Sequence, residues 1–127
     1  MSAYPALPHA RVLVVDDMET NLYMAEAMLE PFGIVPDLAQ SGAEALERVQ
    51  QGHVYDIIFM DHMMPDMDGI ETTQALRQAG CAFPIVALTA HANHEQEKEF
   101  LAKGFDGFMT KPLCEDALQD MLLRYIN

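Results

Sequence analysis

Short apolar runs alternate along the chain with longer segments in which apolar residues recur at helical spacing. Five short runs are typical of β-strands: Val12–Val15, Ile34–Leu38, Asp56–Met60, Ile85–Leu88 and Gly107–Met109. The first, third and fourth are nearly continuous apolar stretches, as in strands buried on both faces of a parallel sheet. The second contains Pro36, which has no N–H for a neighbouring strand, and the fifth is very short. Both are therefore predicted to lie at edges of the sheet.

The intervening segments predict five helices, each with an apolar stripe. The stripes are Leu22, Ala25, Met28, Leu29 and Phe32; Ala45, Leu46 and Val49; Ile70, Thr73 and Leu76; Phe100 and Leu101 within residues 92–102; and Leu113, Ala117, Leu118, Met121, Leu122 and Tyr125. Ser41 is expected to cap the second helix, and Gly80 to end the third.

Five consecutive strand–helix units predict an α/β fold, a doubly wound (βα)5 sandwich with helices on both faces of a parallel five-stranded sheet. Placing the second and fifth strands at the edges gives the strand order 2-1-3-4-5. The length of 127 residues predicts a single domain. Sandwiches of this kind place their ligand sites beyond the carboxyl ends of the strands.

The charge balance narrows the classes of partner. Twenty acidic and seven basic residues give a formal net charge of −13, which argues against nucleic acid and anionic membrane partners. No apolar run approaches the roughly 20 residues that span a bilayer, and residues 1–10 lack the layout of a signal peptide. A cytoplasmic location is expected. Cys81 and Cys114 lack metal-site spacing and are expected to be reduced, structural thiols.

Polar side chains stand at the carboxyl ends of the first, third, fourth and fifth strands. Asp16 and Asp17 follow the first strand, Asp61 follows the third, Thr89 follows the fourth, and Lys111 comes shortly after the fifth. Three converging carboxylates repel one another and raise their own pKa values. A hard divalent cation relieves that repulsion, so the pattern predicts a Mg²⁺ site.

The same residues suit phosphoryl transfer. Asp61 is a carboxylate nucleophile able to form an acyl phosphate, Lys111 offers a positive charge for phosphoryl oxygens, and Thr89 offers a hydroxyl. Taken singly, each of these residues has an ordinary explanation as a helix cap, a turn or a loop residue. Their shared placement at the strand ends favours one site. No nucleotide-binding glycine motif of the G-x-x-x-x-G-K-[ST] or G-x-G-x-x-G type is present.

Four segments carry a family resemblance: VLVVDD (Val12–Asp17), FMDHMMPDMDGIE (Phe59–Glu71), VALTAHA (Val86–Ala92) and FMTKPL (Phe108–Leu113). The chain resembles the receiver domains of two-component response regulators over about residues 11–126, which leaves 1–10 as an N-terminal extension. The resemblance implies a flavodoxin-like fold. The second and third segments are also similar to receivers attached to hybrid sensor histidine kinases.

The resemblance implies a set of metal ligands and a phosphoacceptor. Asp61 corresponds to the phosphorylated aspartate. Asp17, Asp61 and the backbone carbonyl of Met63 correspond to direct Mg²⁺ ligands, with Asp16 acting through water and with Mn²⁺ as a substitute metal.

The resemblance also implies switching and tuning residues. Thr89 and Phe108 correspond to the switch pair, and Lys111 to the lysine that pairs with the phosphoryl group. Met63 and His91 lie at positions that influence phosphoryl lifetime. Exchanging either is predicted to change the dephosphorylation rate without abolishing phosphorylation, and unchanged lifetimes in both variants would contradict this.

These assignments predict a phosphoacceptor signalling domain rather than an enzyme with turnover. The donor would be the phosphohistidine of a histidine kinase or a histidine phosphotransfer domain. The fourth helix, fifth strand and fifth helix would contact a downstream protein or a second copy of the chain. Any parent hybrid kinase would be a transferase, whereas the domain itself would only phosphorylate and dephosphorylate itself.

Two other functions stay open. A Mg²⁺-dependent phosphohydrolase could use Asp61 as its nucleophile, but it would need an acid where Met63 stands. A phosphorylation-independent binding module would have no use for the acid pair and Lys111.

Two local features add minor expectations. The imidazoles of His62, His91 and His94 would suit zinc, but the carboxylate site already explains the geometry. The Lys111–Pro112 peptide is expected to be cis from the resemblance, above the general frequency of about 5–6%.

Overall fold

The protein is a five-stranded parallel sheet covered by helices on both faces. A computed structural model describes residues 7–90, 93–111 and 113–126. The strands are β1 (Val12–Val15), β2 (Asp37–Ala39), β3 (Ile57–Asp61), β4 (Ile85–Thr89) and β5 (Gly107–Thr110), and the helices are α1 (Glu19–Leu29), α2 (Gly42–Gln50), α3 (Gly69–Gln78), α4 (His94–Ala102) and α5 (Glu115–Tyr125). The sheet order β2-β1-β3-β4-β5 confirms the predicted doubly wound topology.

The edge strand β2 is shorter than predicted. It begins at Asp37, because Pro36 cannot donate to β1 and therefore precedes the paired residues. The strands β3, β4 and β5 each end one residue later than predicted. Asp61 and Thr89 are thus the last residues of their strands, and strand pairing itself fixes the backbone of both residues.

Alternation along the strands divides the core into two layers. Val14, Phe59 and Met109 pack with α1 and α5 on one face of the sheet, which we call the α1/α5 face. Met60 and Ala87 pack with α2, α3 and α4 on the other, the α2–α4 face. Successive side chains of a strand point to opposite faces of the sheet. The residues just beyond each strand end continue this pattern.

The predicted helix ends are confirmed. Ser41 caps α2 by accepting a hydrogen bond from the Glu44 amide at 3.1 Å. Gly80 follows α3 with φ of 90°, a conformation that glycine adopts without strain. Asp68 and Glu71 form a reciprocal capping box at the start of α3, which fixes the entry to this helix directly after the β3–α3 connection.

Two predicted apolar anchors are wrong. Leu101 is 50% exposed, whereas Phe100 is buried, because adjacent residues on a helix lie about 100° apart and cannot both face the sheet. For the same reason Ala117 is exposed beside the buried Leu118. Leu113 belongs to the stripe only loosely, since it precedes α5 and packs at the edge of the core.

The side chain of Arg77 ties α3 to the beginnings of β4 and β5. Its guanidinium donates to three backbone carbonyls and to a carboxylate, at distances of 2.7–3.0 Å. The acceptors are the carbonyls of Cys81, Phe83 and Gly104 and the carboxylate of Asp106. We call this set of hydrogen bonds the Arg77 clasp.

The two ends of the described chain meet at the amino end of the sheet. The Leu7 amide donates to the Phe32 carbonyl at 2.7 Å, and Leu7, Tyr125 and Ile126 line one cavity of about 460 Å³. Within the described residues, no helix combines the length and apolar character needed to cross a membrane.

Candidate functional site

The carboxylates of Asp16, Asp17 and Asp61 converge at the carboxyl end of the sheet. β1 and β3 pair in the register Val15↔Met60, so the residues that follow, Asp16 and Asp61, lie side by side. Oxygen atoms from the three carboxylates lie within 4.8 Å of one another. Asp16 is 1% and Asp61 4% exposed, while Asp17 is open to solvent.

Lys111 bridges the two buried acids. Its Nζ lies 2.8 Å from Asp61 Oδ1 and 3.2 Å from Asp16 Oδ2. Lys111 follows Met109 by two residues and therefore points to the same α1/α5 face as both acids. Its backbone amide donates to the Thr89 carbonyl at 2.8 Å, which fixes the lysine beside the end of β4.

Burial and the interaction with Lys111 act in opposite directions on the pKa of Asp61. Burial, the largest cause, and the charges of Asp16 and Asp17 raise the pKa of Asp61, the hydrogen bond and charge of Lys111 lower it, and the net result is a pKa of about 6. Burial alone would lower the pKa of Lys111, but Asp61 and Asp16 outweigh it and raise that pKa above its ordinary value. The lysine therefore stays protonated at neutral pH, and within the described part of the chain three acids lie beside this one cation.

The donor set fits a hard divalent cation. Opposite ligands of an octahedral Mg²⁺ lie about 4 Å apart, given metal–oxygen distances of about 2.0–2.1 Å. One oxygen from each of the three carboxylates lies within 4.8 Å of the other two, which is close to the spacing that a shared ion requires. The excess negative charge at the site favours the binding of a cation.

Thr89 and Phe108 lie on the other side of the same strand ends. Thr89 is 4% exposed at the end of β4, and Phe108 packs against the core of the α2–α4 face. Met63 lies in the β3–α3 connection, two residues after Asp61, with a side chain that is 73% exposed. Its carbonyl as a metal ligand stays a prediction.

Some predicted features lie outside the described residues. His91 and Pro112 are among them, as is the side chain of His94. The predicted tuning role of His91, the cis Lys111–Pro112 peptide and the histidine zinc site therefore stay predictions.

Gly69 is a residue of the site that the sequence patterns did not single out. A Cβ at this position would stand 2.3 Å from the carbonyl oxygen of Asp61, closer than any real contact. The start of α3 thus presses against the backbone of the buried acid. The available signal was the Asp68-Gly69 pair at a helix start, which marks a place of close backbone approach.

An apolar cavity opens beside the acids. It has a volume of about 320 Å³ and lies between α1 and the β5–α5 connection, with Met24, Met28 and Leu113 among its lining residues and Asp16 and Lys111 at one end. Met24 and two residues close to it in sequence, Met18 and Tyr23, are each more than half exposed. The cavity adjoins the carboxylate site through Asp16, which belongs to both.

The fold and the site together define a class of protein, a doubly wound α/β domain with a metal-competent acid cluster beside a lysine. The family model described as the response regulator receiver domain matches residues 12–123. The chain belongs to this family of two-component signalling domains, which confirms the family predicted from the four motifs.

Similar curated proteins are much longer than this chain. The chain is 38% identical over 120 residues to the sensor histidine kinase GacS of Pseudomonas protegens, covering 91% of this chain and 13% of that protein. It is 39% identical over 116 residues to the signal transduction histidine-protein kinase BarA of Escherichia coli, covering 90% of this chain and 12% of that protein. The predicted similarity to receivers of hybrid kinases is thereby confirmed.

Solved receiver structures share the fold over nearly the whole chain. The receiver domain of the sensor histidine kinase PA1611 from Pseudomonas aeruginosa, with magnesium coordinated in its active site cleft, has a TM-score of 0.80 at 34% identity, covering 92% of this chain and 97% of that one. The receiver domain of Ssk1 from Saccharomyces cerevisiae, co-crystallised with the histidine phosphotransfer protein Ypd1, has a TM-score of 0.83 at 28% identity, covering 97% and 90%.

Proposed function

We propose that Asp61 accepts a phosphoryl group from the phosphohistidine of a partner protein. A carboxylate oxygen of Asp61 attacks the phosphorus atom, the P–N bond to the donor imidazole breaks as the O–P bond forms, and the freed imidazole nitrogen takes up a proton. The observation that carries this proposal is the placement of Asp61, a buried acid hydrogen-bonded to Lys111 and flanked by Asp16 and Asp17.

The proposed roles of the neighbouring residues follow from charge. Lys111 Nζ, already 2.8 Å from Asp61 Oδ1, would pair with the oxygens of the transferred group. Asp17 and Asp61, with the Met63 carbonyl, would hold Mg²⁺ or Mn²⁺ directly, and Asp16 would act through water. A bound Mg²⁺ supplies positive charge for the phosphoryl oxygens as they approach the acids.

Thr89 and Phe108 are proposed to report the new state of Asp61. Both belong to the α2–α4 face, and β4 and β5 hold them next to the acid cluster through the pairs Ala87↔Phe108 and Thr89↔Thr110. In this proposal the hydroxyl of Thr89 turns toward the phosphoryl group and the ring of Phe108 follows. The surface of α4, β5 and α5 would then be the output face, open to a downstream protein or a second copy of the chain.

The donor is proposed to be a histidine kinase or a histidine phosphotransfer domain that docks on α1. The apolar cavity beside Asp16 and Lys111, with the exposed side chains of Met18, Tyr23 and Met24, suits an apolar helix that carries the phosphohistidine. The co-crystal of Ypd1 with the Ssk1 receiver supports a partner of this kind. The chemistry of the chain itself would be limited to self-phosphorylation and autodephosphorylation.

The test is the intact mass of the protein after incubation with Mg²⁺ and acetyl phosphate. Wild type is expected to gain a single phosphoryl group, Asp61→Asn to gain none, and removal of Mg²⁺ with a chelator to abolish the adduct. Asp66→Asn is the matched control, since Asp66 is exposed nearby with φ of 66°, a conformation that asparagine tolerates equally well.

Each alternative function predicts another outcome. Continuous hydrolysis of a phosphoester would favour the phosphohydrolase. No adduct in any variant would favour the phosphorylation-independent binding module, and an adduct that survives Asp61→Asn would refute Asp61 as the acceptor.

A further inference from the structure

His62 lies directly after Asp61 but points to the opposite face of the sheet. Asp61 shares the α1/α5 face with Phe59, whereas the alternation along β3 places His62 on the α2–α4 face with Met60. The residue next to the proposed phosphoacceptor therefore extends into the layer that contains α4.

The His62 ring packs against Phe100 of α4. The two ring centroids are 5.0 Å apart and the ring planes are 83° to each other, an edge-to-face contact. Phe100 makes a second edge-to-face contact with Phe105, at 5.4 Å and 73°. We call these three residues the aromatic row. It runs from the end of β3 through α4 to the connection that precedes β5.

The backbone of His62 is held on both sides. Its amide donates to the Leu88 carbonyl at 2.9 Å, and its carbonyl accepts from the Gly69 amide at 3.0 Å. Leu88 directly precedes Thr89, and Gly69 begins α3. The imidazole therefore follows any displacement of the strand ends around Asp61.

Phe100 connects the aromatic row to α4. Among the α4 side chains that the structure describes, Phe100 is the buried one, and Leu101 is half exposed. The remaining described side chains of this helix are mostly charged, and they are exposed or, for Gln96 and Glu97, half-buried. The position of α4 over the sheet therefore depends on the packing site of Phe100, one side of which is the His62 ring.

We propose that His62 is a positioning residue that transmits the state of Asp61 to α4 through its ring contact with Phe100. This inference rests on the proposed function and adds a route from the acceptor to the output face that bypasses Thr89 and Phe108. Asp61 and α4 are coupled in this proposal through side-chain packing. A shift of the strand end moves the His62 ring, which changes the packing site of Phe100 and with it the preferred position of the helix.

Hydrogen–deuterium exchange of α4 measures this coupling, read beside the intact mass. In wild type, acetyl phosphate with Mg²⁺ is expected to change the exchange rate of amides in residues 94–105 by between about twofold and tenfold, the range an aromatic contact can supply. His62→Ala is expected to form the same adduct on Asp61 but to lose the α4 response. His62→Phe keeps an aromatic edge against Phe100 and is expected to restore it.

Matched variants separate a coupling role from a general structural one. His53→Ala makes the same chemical change at the opposite, amino end of β3 and is expected to leave the α4 response intact. Phe100→Leu removes the contact from the helix side and is expected to abolish the response as His62→Ala does. The double variant should lose no more than either single variant.

The outcomes distinguish this inference from the proposed function. An unmodified wild-type protein would refute the proposed function and this inference with it. An adduct accompanied by a full α4 response in His62→Ala, or by no α4 response in wild type, would refute the coupling alone. A response lost in His62→Phe as well as in His62→Ala would show that the aromatic edge is not what carries it.

Discussion

Asp61 combines burial with a shortage of positive charge. Among the residues that the structure describes, Lys111 is the cation that pairs with the acid cluster, so the ionised carboxylate of Asp61 is held in an environment that favours its protonated form. The pKa of about 6 means that protons compete with a metal ion for this carboxylate at mildly acidic pH. A metal that binds the ionised form lowers that pKa in turn.

Mg²⁺ affinity is therefore expected to fall as the pH drops through about 6. Above this pH Asp61 is ionised and ready to bind the metal, and below it each unit of pH weakens binding by up to about tenfold. Calorimetric titration of wild type with Mg²⁺ at pH 7.5 and pH 5.0 checks this. Asp61→Asn is the control and is expected to bind weakly with a flatter pH dependence. Equal affinity of wild type at both pH values would contradict the prediction.

At the scale of secondary structure, the contact between α3 and β3 fixes the position of Asp61. Gly69→Ala would push a methyl group against the Asp61 carbonyl, 2.3 Å from the Cβ position, and must displace either the strand end or the helix. Phosphoryl adduct formation is expected to slow by at least about tenfold, because a displacement of about 1 Å at a reacting group has effects of that size or larger. The rate of the intact-mass change measures it.

Gly107→Ala is the matched control for this variant. Its added Cβ would meet nothing closer than 3.5 Å, which is ordinary contact. An unchanged phosphorylation rate in Gly69→Ala would show that the contact between α3 and Asp61 can relax without consequence.

The Arg77 clasp is expected to contribute strongly to stability. Arg77→Ala would remove the Arg77 hydrogen bonds to three carbonyls and to the Asp106 carboxylate, which would keep its hydrogen bond from the Ile85 amide. Hydrogen bonds to charged groups contribute about 1.5–3 kcal/mol each. Because Arg77 and Asp106 are partly exposed, we expect a total loss of about 2–3 kcal/mol in the free energy of unfolding. Urea denaturation measures it, with Arg124→Ala on the exposed side of α5 as the control. A loss below about 0.5 kcal/mol would contradict the prediction.

The strands and helices were best predicted where a single hydrophobic pattern determined their position in the sequence. β1 and β4 are buried on both faces, so their continuous apolar runs located them closely. The α4 helix was less predictable, because Phe100 and Leu101 are equally apolar neighbours and only the orientation of the helix decides which one is buried. Pro36 predicted an edge strand correctly, but its position did not reveal that pairing starts at Asp37.

The acid site was predictable because its residues stand at strand ends. The convergence of Asp16, Asp61 and Lys111 follows from the topology alone. The contact of His62 with Phe100 and the clasp of Arg77 with Asp106 join residues 38 and 29 positions apart in sequence. No local pattern encodes such pairs, since they depend on how the helices pack in three dimensions.

For the molecule as a whole, the net charge of −13 sets a dependence on salt. Mutual repulsion of surface acids destabilises the compact state, and ions screen it over about 10 Å at 0.1 M. Raising choline chloride from about 10 to 500 mM is expected to raise the unfolding temperature by a few degrees. Choline is too bulky to occupy the acid cluster, so a rise reports general screening. A constant or falling unfolding temperature would contradict the prediction.

The first and last described residues meet at the amino end of the sheet, and this has a consequence for evolution and engineering. Leu7 and Ile126 line one cavity, whereas the acids stand at the opposite end of the strands. A segment attached at Leu7 or at Ile126 would leave the sheet on the side away from Asp61, and a short linker between these two residues would permit circular permutation. The domain can therefore be inserted between unrelated domains while the acid cluster stays accessible.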